Sequence, residues 1–142
     1  MRAGLDDPRQ FLLELFQIAV QAADPHRVLP PCLPRDTDRR ALVIGAGKAA
    51  ASMASALEKN WAGALSGLVV TPYGHGEACQ YIEVIEAAHP IPDARGEQAA
   101  ARILELVSSR SPADLLICLL SGGRSALLSL PAPGIALPHK PD

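Results

Sequence analysis

Ala41-Leu42-Val43-Ile44-Gly45-Ala46-Gly47-Lys48-Ala49-Ala50 decides the fold. A short apolar run stops at Gly45, a turn of small residues follows, and an alanine-rich stretch runs from Ala49 to Trp61. The run reads as a buried strand and the alanines as a helix. Gly45, Gly47 and Ala50 fit the spacing G-x-G-x-x-A, in the strand-to-helix context that this spacing requires. On the sequence alone, Gly45 permits a tight turn with positive φ. Gly47 lets the backbone approach an anion with no Cβ in the way. Ala50 lets the helix lie close to the strand. The helix N-terminus would then offer unpaired N–H groups to a phosphate or carboxylate.

The same alternation continues outward. Gly67 to Thr71 predicts a second strand, ended by Pro72, Gly74 and Gly76. Tyr81 to Glu86 predicts a third. A helix is expected from Asp93 or Ala94 to Ser109, with Ala99, Ala100, Ile103, Leu104, Leu106 and Val107 as its apolar members. Asp114 to Leu120 predicts a fourth strand, ending in Ser121-Gly122-Gly123. Upstream, Pro8 to Ala23 carries Phe11, Leu12, Leu15, Phe16, Ala19, Val20 and Ala23 at helical spacing, with Asp7 as N-cap and Pro8 at the first helical position. Asp24 to Arg40, with four prolines, reads as a loop or connecting arm. Strands alternating with helices give an α/β class with a mostly parallel sheet, here incomplete at about four strands. After Leu130 the pattern gives way to Pro131, Pro133, Gly134, Pro138 and Pro141, as if the chain were cut short.

Composition excludes several partners. The 142 residues carry a net charge of −2, which gives no electrostatic case for nucleic acid or an anionic membrane. Aromatics at 4% are too few for a base-stacking platform, while 49% apolar residues suffice for a core. The longest apolar run, Leu115 to Leu120, is far below the ~20 residues that cross a bilayer. No apolar segment follows a basic start, so no signal peptide is expected. Cys32, Cys79 and Cys118 show no metal-site spacing. They suggest a reduced, cytoplasmic protein, with Cys118 as plain core.

The candidate chemistry sits in the turns. Lys48 puts a full positive charge at the anion position, which suits a γ-phosphate or the charge developing in phosphoryl transfer. The turn is not a Walker A loop, which needs four residues between its glycines. A nicotinamide site would want an acid at the end of the second strand, but that strand ends in Thr71 and the next acid is Glu77. Ser121-Gly122-Gly123-Arg124-Ser125 is a second small-residue turn, expected at the carboxyl edge of the same sheet, where ligands of open α/β sheets bind. His89, before Pro90, follows the third strand on that side and could donate to a substrate. The alternative for each is structural: a tight turn, an ordinary loop, a histidine bonded to backbone. His75 is expected to be solvated, and Asp93 to be an N-cap. No Ser-His-Asp arrangement and no metal-binding carboxylate pair stands out.

Four stretches together resemble one family. They are Gly45-Ala46-Gly47-Lys48-Ala49-Ala50, Val70-Thr71-Pro72-Tyr73-Gly74-His75, Ala88-His89-Pro90-Ile91-Pro92-Asp93, and Leu120 to Leu128 with its Ser121-Gly122-Gly123 turn. Their order and spacing resemble the N-terminal region of bacterial glycerate 2-kinases of the MOFRL type, some of which are labelled hydroxypyruvate reductase. The resemblance implies a Rossmann-like three-layer α/β/α domain over residues 1–137, a divergent tail at 138–142, and a C-terminal MOFRL domain that is absent here. It implies ATP and Mg²⁺ as cofactors and D-glycerate as the substrate phosphorylated at its 2-hydroxyl. Lys48 would be catalytic. Gly45, Gly47, His89, Ser121, Gly122, Gly123 and Ser125 would line the substrate and nucleotide site, with no protein ligand to a metal. The family pattern usually has glycine where Arg124 stands, so either a needed positive φ is lost or a phosphate clamp is gained. The family is roughly three times longer on the size priors of a two-domain enzyme. The isolated chain is therefore expected to be inactive. Two other readings stay open. One is an NAD(P)-dependent hydroxypyruvate reductase. The other is a non-enzymatic anion- or nucleotide-binding module that self-associates or joins a complementing chain.

Overall fold

The computed structural model describes residues 7–132, 134 and 135. The run quoted first becomes strand β1, Ala41–Ala46, and the alanines become helix α3, Ala50–Glu58. Before them lie α1, Pro8–Ala22, the short α2, Pro25–Val28, and a 3-10 turn, Pro30–Cys32. After them come β2, Leu65–Pro72, β3, Ile82–Ala87, α4, Ala94–Ser109, β4, Leu115–Leu120, and the short α5, Arg124–Leu127. The predicted tail at 138–142 lies outside the described residues.

All strand pairs are parallel, in the order β3-β2-β1-β4. Strand β1 is flanked on both sides, with Ala41 facing Leu65 and Leu115 in the ladders. That is why its sequence is continuously apolar rather than alternating. The chain steps from β1 through β2 to β3 in one direction, then returns through α4 to β4 on the far side of β1. Crossovers of one hand running in opposite directions place their helices on opposite faces. Accordingly, one core joins Val43, Val69 and Leu119 to Ala50, Ala54, Leu57 and Trp61 of the α3 side. The other joins Ala46, Leu68 and Val70 to Ala99, Ile103 and Leu127 of the α4 side. The result is the expected three-layer α/β/α sandwich, a partial Rossmann-like topology.

The link from β2 to β3 contains no helix, which is unusual for parallel neighbours. Two carboxylates hold it instead. Glu58, ending α3, accepts the amides of Gln80, Tyr81 and Ile82 at 2.7 Å each. Glu86 accepts those of Gly74 and Gly76 at 2.8 and 3.0 Å. Backbone donors that no ladder uses are satisfied in this way.

Two expectations need correction. The arm from Asp24 to Arg40 is not simply a loop, because Asp24 caps α2 by accepting the His26 amide at 2.9 Å. Helix α2 packs on α3, and His26 Nε2 lies 3.3 Å from Glu77 Oε2. Cys118 is not core but exposed. The register pairs Ile44 with Cys118 and Ala46 with Leu120, which puts both β4 residues on the α4 face. Helix α4 covers β2 and β3, so on edge strand β4 that face stays open and Leu120 is 52% exposed. Helix α1 has the predicted cap, with the Asp7 carboxylate accepting from Arg9 and Gln10, yet none of its residues is buried. No helix among the described residues is long and apolar enough to cross a membrane.

Candidate functional site

The sheet reverses its strand order between β1 and β4, so the switch point lies between their carboxyl ends. Both glycine turns are there. Gly45 and Leu119 are ladder partners, as are Ala46 and Leu120, so the turns after β1 and β4 leave the sheet side by side. The structure therefore brings Lys48 and the Ser121–Arg124 turn together at one edge. The segment after β3 reaches the same place. A Cβ built on Gly123 would lie 2.8 Å from His89 Nε2 and 3.5 Å from Lys48 Cγ, so both side chains lie against the Gly123 α-carbon. Lys48 is exposed and His89 half-buried.

The first turn differs from expectation in how its amides are used. Gly47 N–H donates to Val70 O at 3.0 Å, and Lys48 N–H to Gly122 O at 2.9 Å. Ala49 N–H donates to Ser121 Oγ at 3.0 Å, and Ala50 N–H to Gly47 O at 3.1 Å. These are the donors a pyrophosphate cradle would need. The first three instead tie β1 to β2 and β4, and the fourth closes the turn on itself. Thr71, fully buried at the end of β2, adds a bond from its hydroxyl to Gly47 O at 3.2 Å. What this turn presents outward is the Lys48 side chain.

The glycine roles also shift. Gly45 is not among the positive-φ glycines; it lies inside β1, where a Cβ would overlap Leu119 O and come 2.9 Å from Leu119 Cβ. Gly47 has φ +134°, and its missing Cβ leaves room for Ser121 rather than for an anion. In the second turn Gly123, at φ +89°, takes the left-handed position. Arg124 opens α5, and no non-glycine residue has positive φ among the described residues, so arginine strains nothing there. The amides of Gly122, Gly123 and Arg124 donate to no protein acceptor among the described residues. Ser121 is committed to the first turn, accepting from Ala49 and donating its own amide to Ala46 O at 3.1 Å. Ser125 lies exposed in the first turn of α5.

A link between the loops after β2 and β3 was not anticipated from the sequence. Asp93 is the expected N-cap of α4, its Oδ1 accepting Gly96 N–H at 2.9 Å. Its Oδ2 also accepts the Tyr73 hydroxyl at 2.9 Å, from the loop after β2. Partial burial opposes the charge on Asp93. The bonds from Gly96 and Tyr73 and the nearby Ala88 and Arg95 amides outweigh it, holding the carboxyl below its ordinary range. The bond to Asp93 raises the Tyr73 hydroxyl in turn. Only the tyrosine before Gly74 signalled this in the sequence.

Fold and site together define a doubly wound α/β domain with Lys48 and His89 gathered at the crevice of its switch point. A family model described as "Domain of unknown function (DUF4147)" matches residues 11–142, and the chain belongs to that family. It is 43% identical over 133 residues to a protein named "Putative hydroxypyruvate reductase" of Agrobacterium vitis, covering 93% of this chain and 30% of the relative. It is 36% identical to a glycerate 2-kinase of Pyrococcus horikoshii, covering 92% of this chain and 32% of that one. The crystal structure of the glycerate kinase of Thermotoga maritima superposes with a TM-score of 0.70 at 36% identity, covering 89% of this chain and 31% of that one. The chain is thus a member of the glycerate-kinase superfamily, and it spans about a third of the length of the relatives it matches.

Proposed function

We propose that this domain supplies the lysine side of a site for ATP-dependent phosphorylation of D-glycerate at its 2-hydroxyl. The observation that carries the proposal is the meeting of Lys48, His89 and Gly123 at the switch point, in a chain related to glycerate kinases. In the transfer, the substrate oxygen forms a bond to the γ-phosphorus, the bond to the bridging oxygen of ADP breaks, and the hydroxyl proton is released. The Lys48 ammonium neutralises charge on the transferring group. His89 donates to a substrate oxygen. The amides of Gly122, Gly123 and Arg124 face the same anion. Among the described residues no cluster of three acidic, histidine or cysteine side chains fits a metal ion, so no step is assigned to Mg²⁺. The reductase reading is weaker, because the amides of the G-x-G-x-x-A turn are spent inside the fold.

Isothermal titration of the chain with Mg²⁺-ATP, then with D-glycerate, tests the proposal, with Lys48→Ala as the comparison. Heat of binding in the parent chain and its loss in the variant are expected. Equal binding by both chains would remove Lys48 from the site. Absence of binding to a folded chain would show that this domain does not form the site by itself.

A further inference from the structure

We propose that Asp93 and Tyr73 are positioning residues that hold His89 against Gly123, so that the histidine side of the site is set by a bridge between two loops. This rests on the site reading above, and it deepens it. The segment from Ala88 to Asp93 leaves β3 at the edge of the sheet farthest from β4, yet His89 reaches the turn after β4. It must cross the carboxyl ends of β2 and β1 to do so. Such a span needs anchoring where it departs and where it returns.

The anchor is one carboxylate. Asp93 closes the segment by capping α4 through Gly96, and the same carboxylate faces the Ala88 amide at the other end of the segment. Its second oxygen takes the Tyr73 hydroxyl at 2.9 Å. Tyr73 is fixed in turn, because its amide donates to Ala87 O at 3.3 Å and the next loop amides are held by Glu86. The Arg95 guanidinium lies 5.9 Å from the centre of the Tyr73 ring. At the far side, α4 approaches α5 closely, with a Cβ on Gly96 only 3.3 Å from Leu127 O. The residue that Asp93 caps is therefore packed against the helix that follows Gly123. An N-cap alone would need only one carboxylate oxygen. The bond from Tyr73 to the other oxygen is what a capping role leaves unexplained.

The test separates capping from positioning. Asp93→Ser retains a good N-cap but removes the oxygen that serves Tyr73. Tyr73→Phe removes the same bond and leaves Asp93 untouched. Proton NMR of the parent chain should show an NOE between the His89 ring and the Gly123 α-protons. Both variants should weaken it by about half or more, with the remaining amide spectrum preserved. His89→Ala identifies the signal. An unchanged NOE in both variants, or none in the parent chain, overturns the proposal. If Asp93→Ser fails to fold, Tyr73→Phe decides alone. The NOE needs no ligand, so an intact NOE pattern without Mg²⁺-ATP or glycerate binding would leave the bridge standing and show that this domain does not form the binding site by itself.

Discussion

The two glycine turns at the carboxyl edge are built from the same kinds of residue and spend them differently. In the turn from Gly45 to Ala49 the amides of Gly47, Lys48 and Ala49 all donate within the fold, to Val70, Gly122 and Ser121. In the turn from Ser121 to Arg124, Ser121 serves the first turn, while the amides of Gly122, Gly123 and Arg124 donate to no protein acceptor among the described residues. One turn is a clasp joining three strands, and it projects a lysine. The other is a rim against which that lysine and His89 lie. A glycine fingerprint therefore does not say which of its backbone donors remain for a ligand. The neighbouring strand decides that.

The largest effect that can break this comparison comes from Gly47→Ala. A Cβ there would overlap Ser121 Oγ and lie 2.7 Å from Ser121 O, on a backbone at φ +134°. Strain and displacement of Ser121 together should cost about 3 kcal/mol, read from urea unfolding. A cost below about 1 kcal/mol would mean that the clasp is looser than the geometry shows. Ser121→Ala comes next. It leaves the Ala49 amide without its acceptor at a half-buried position, for about 1 kcal/mol. Its effect should be on stability first, with anion binding following only as the clasp loosens.

This division explains what the sequence made legible. The order of strands and helices follows from local patterns, and so does the presence of both turns after parallel strands. The purpose of Gly45 does not, because it depends on Leu119, which is distant in sequence and adjacent in the sheet. Cys118 has the apolar neighbours of a core residue, but its exposure depends on β4 being an edge strand that α4 does not cover. The α2 cap was legible in principle, since Asp24-Pro25 repeats the Asp7-Pro8 signal that starts α1. Its shortness and the surrounding prolines concealed it. The clamps by Glu58 and Glu86 and the bridge from Tyr73 to Asp93 join loops through side chains, and no periodicity records such pairs.

The smallest expected effect falls on the rim and sharpens the comparison most. Arg124→Gly removes the guanidinium and puts at this position the glycine that the resemblance led one to expect. Arg124 is exposed and begins α5 without positive φ, so the fold does not require either residue there. Unfolding free energy should change by no more than about 0.5 kcal/mol. If the exposed guanidinium serves the crevice, the variant binds Mg²⁺-ATP less tightly, and its affinity falls less steeply with added salt. If the guanidinium plays no part, affinity and salt dependence stay as they were, and the cationic side of the rim reduces to Lys48. Either result keeps the clasp intact, because Arg124 shares no hydrogen bond with it among the described residues. A loss of stability comparable to that of Ser121→Ala would instead show that clasp and rim are one structural unit, and the contrast between the two turns would fail.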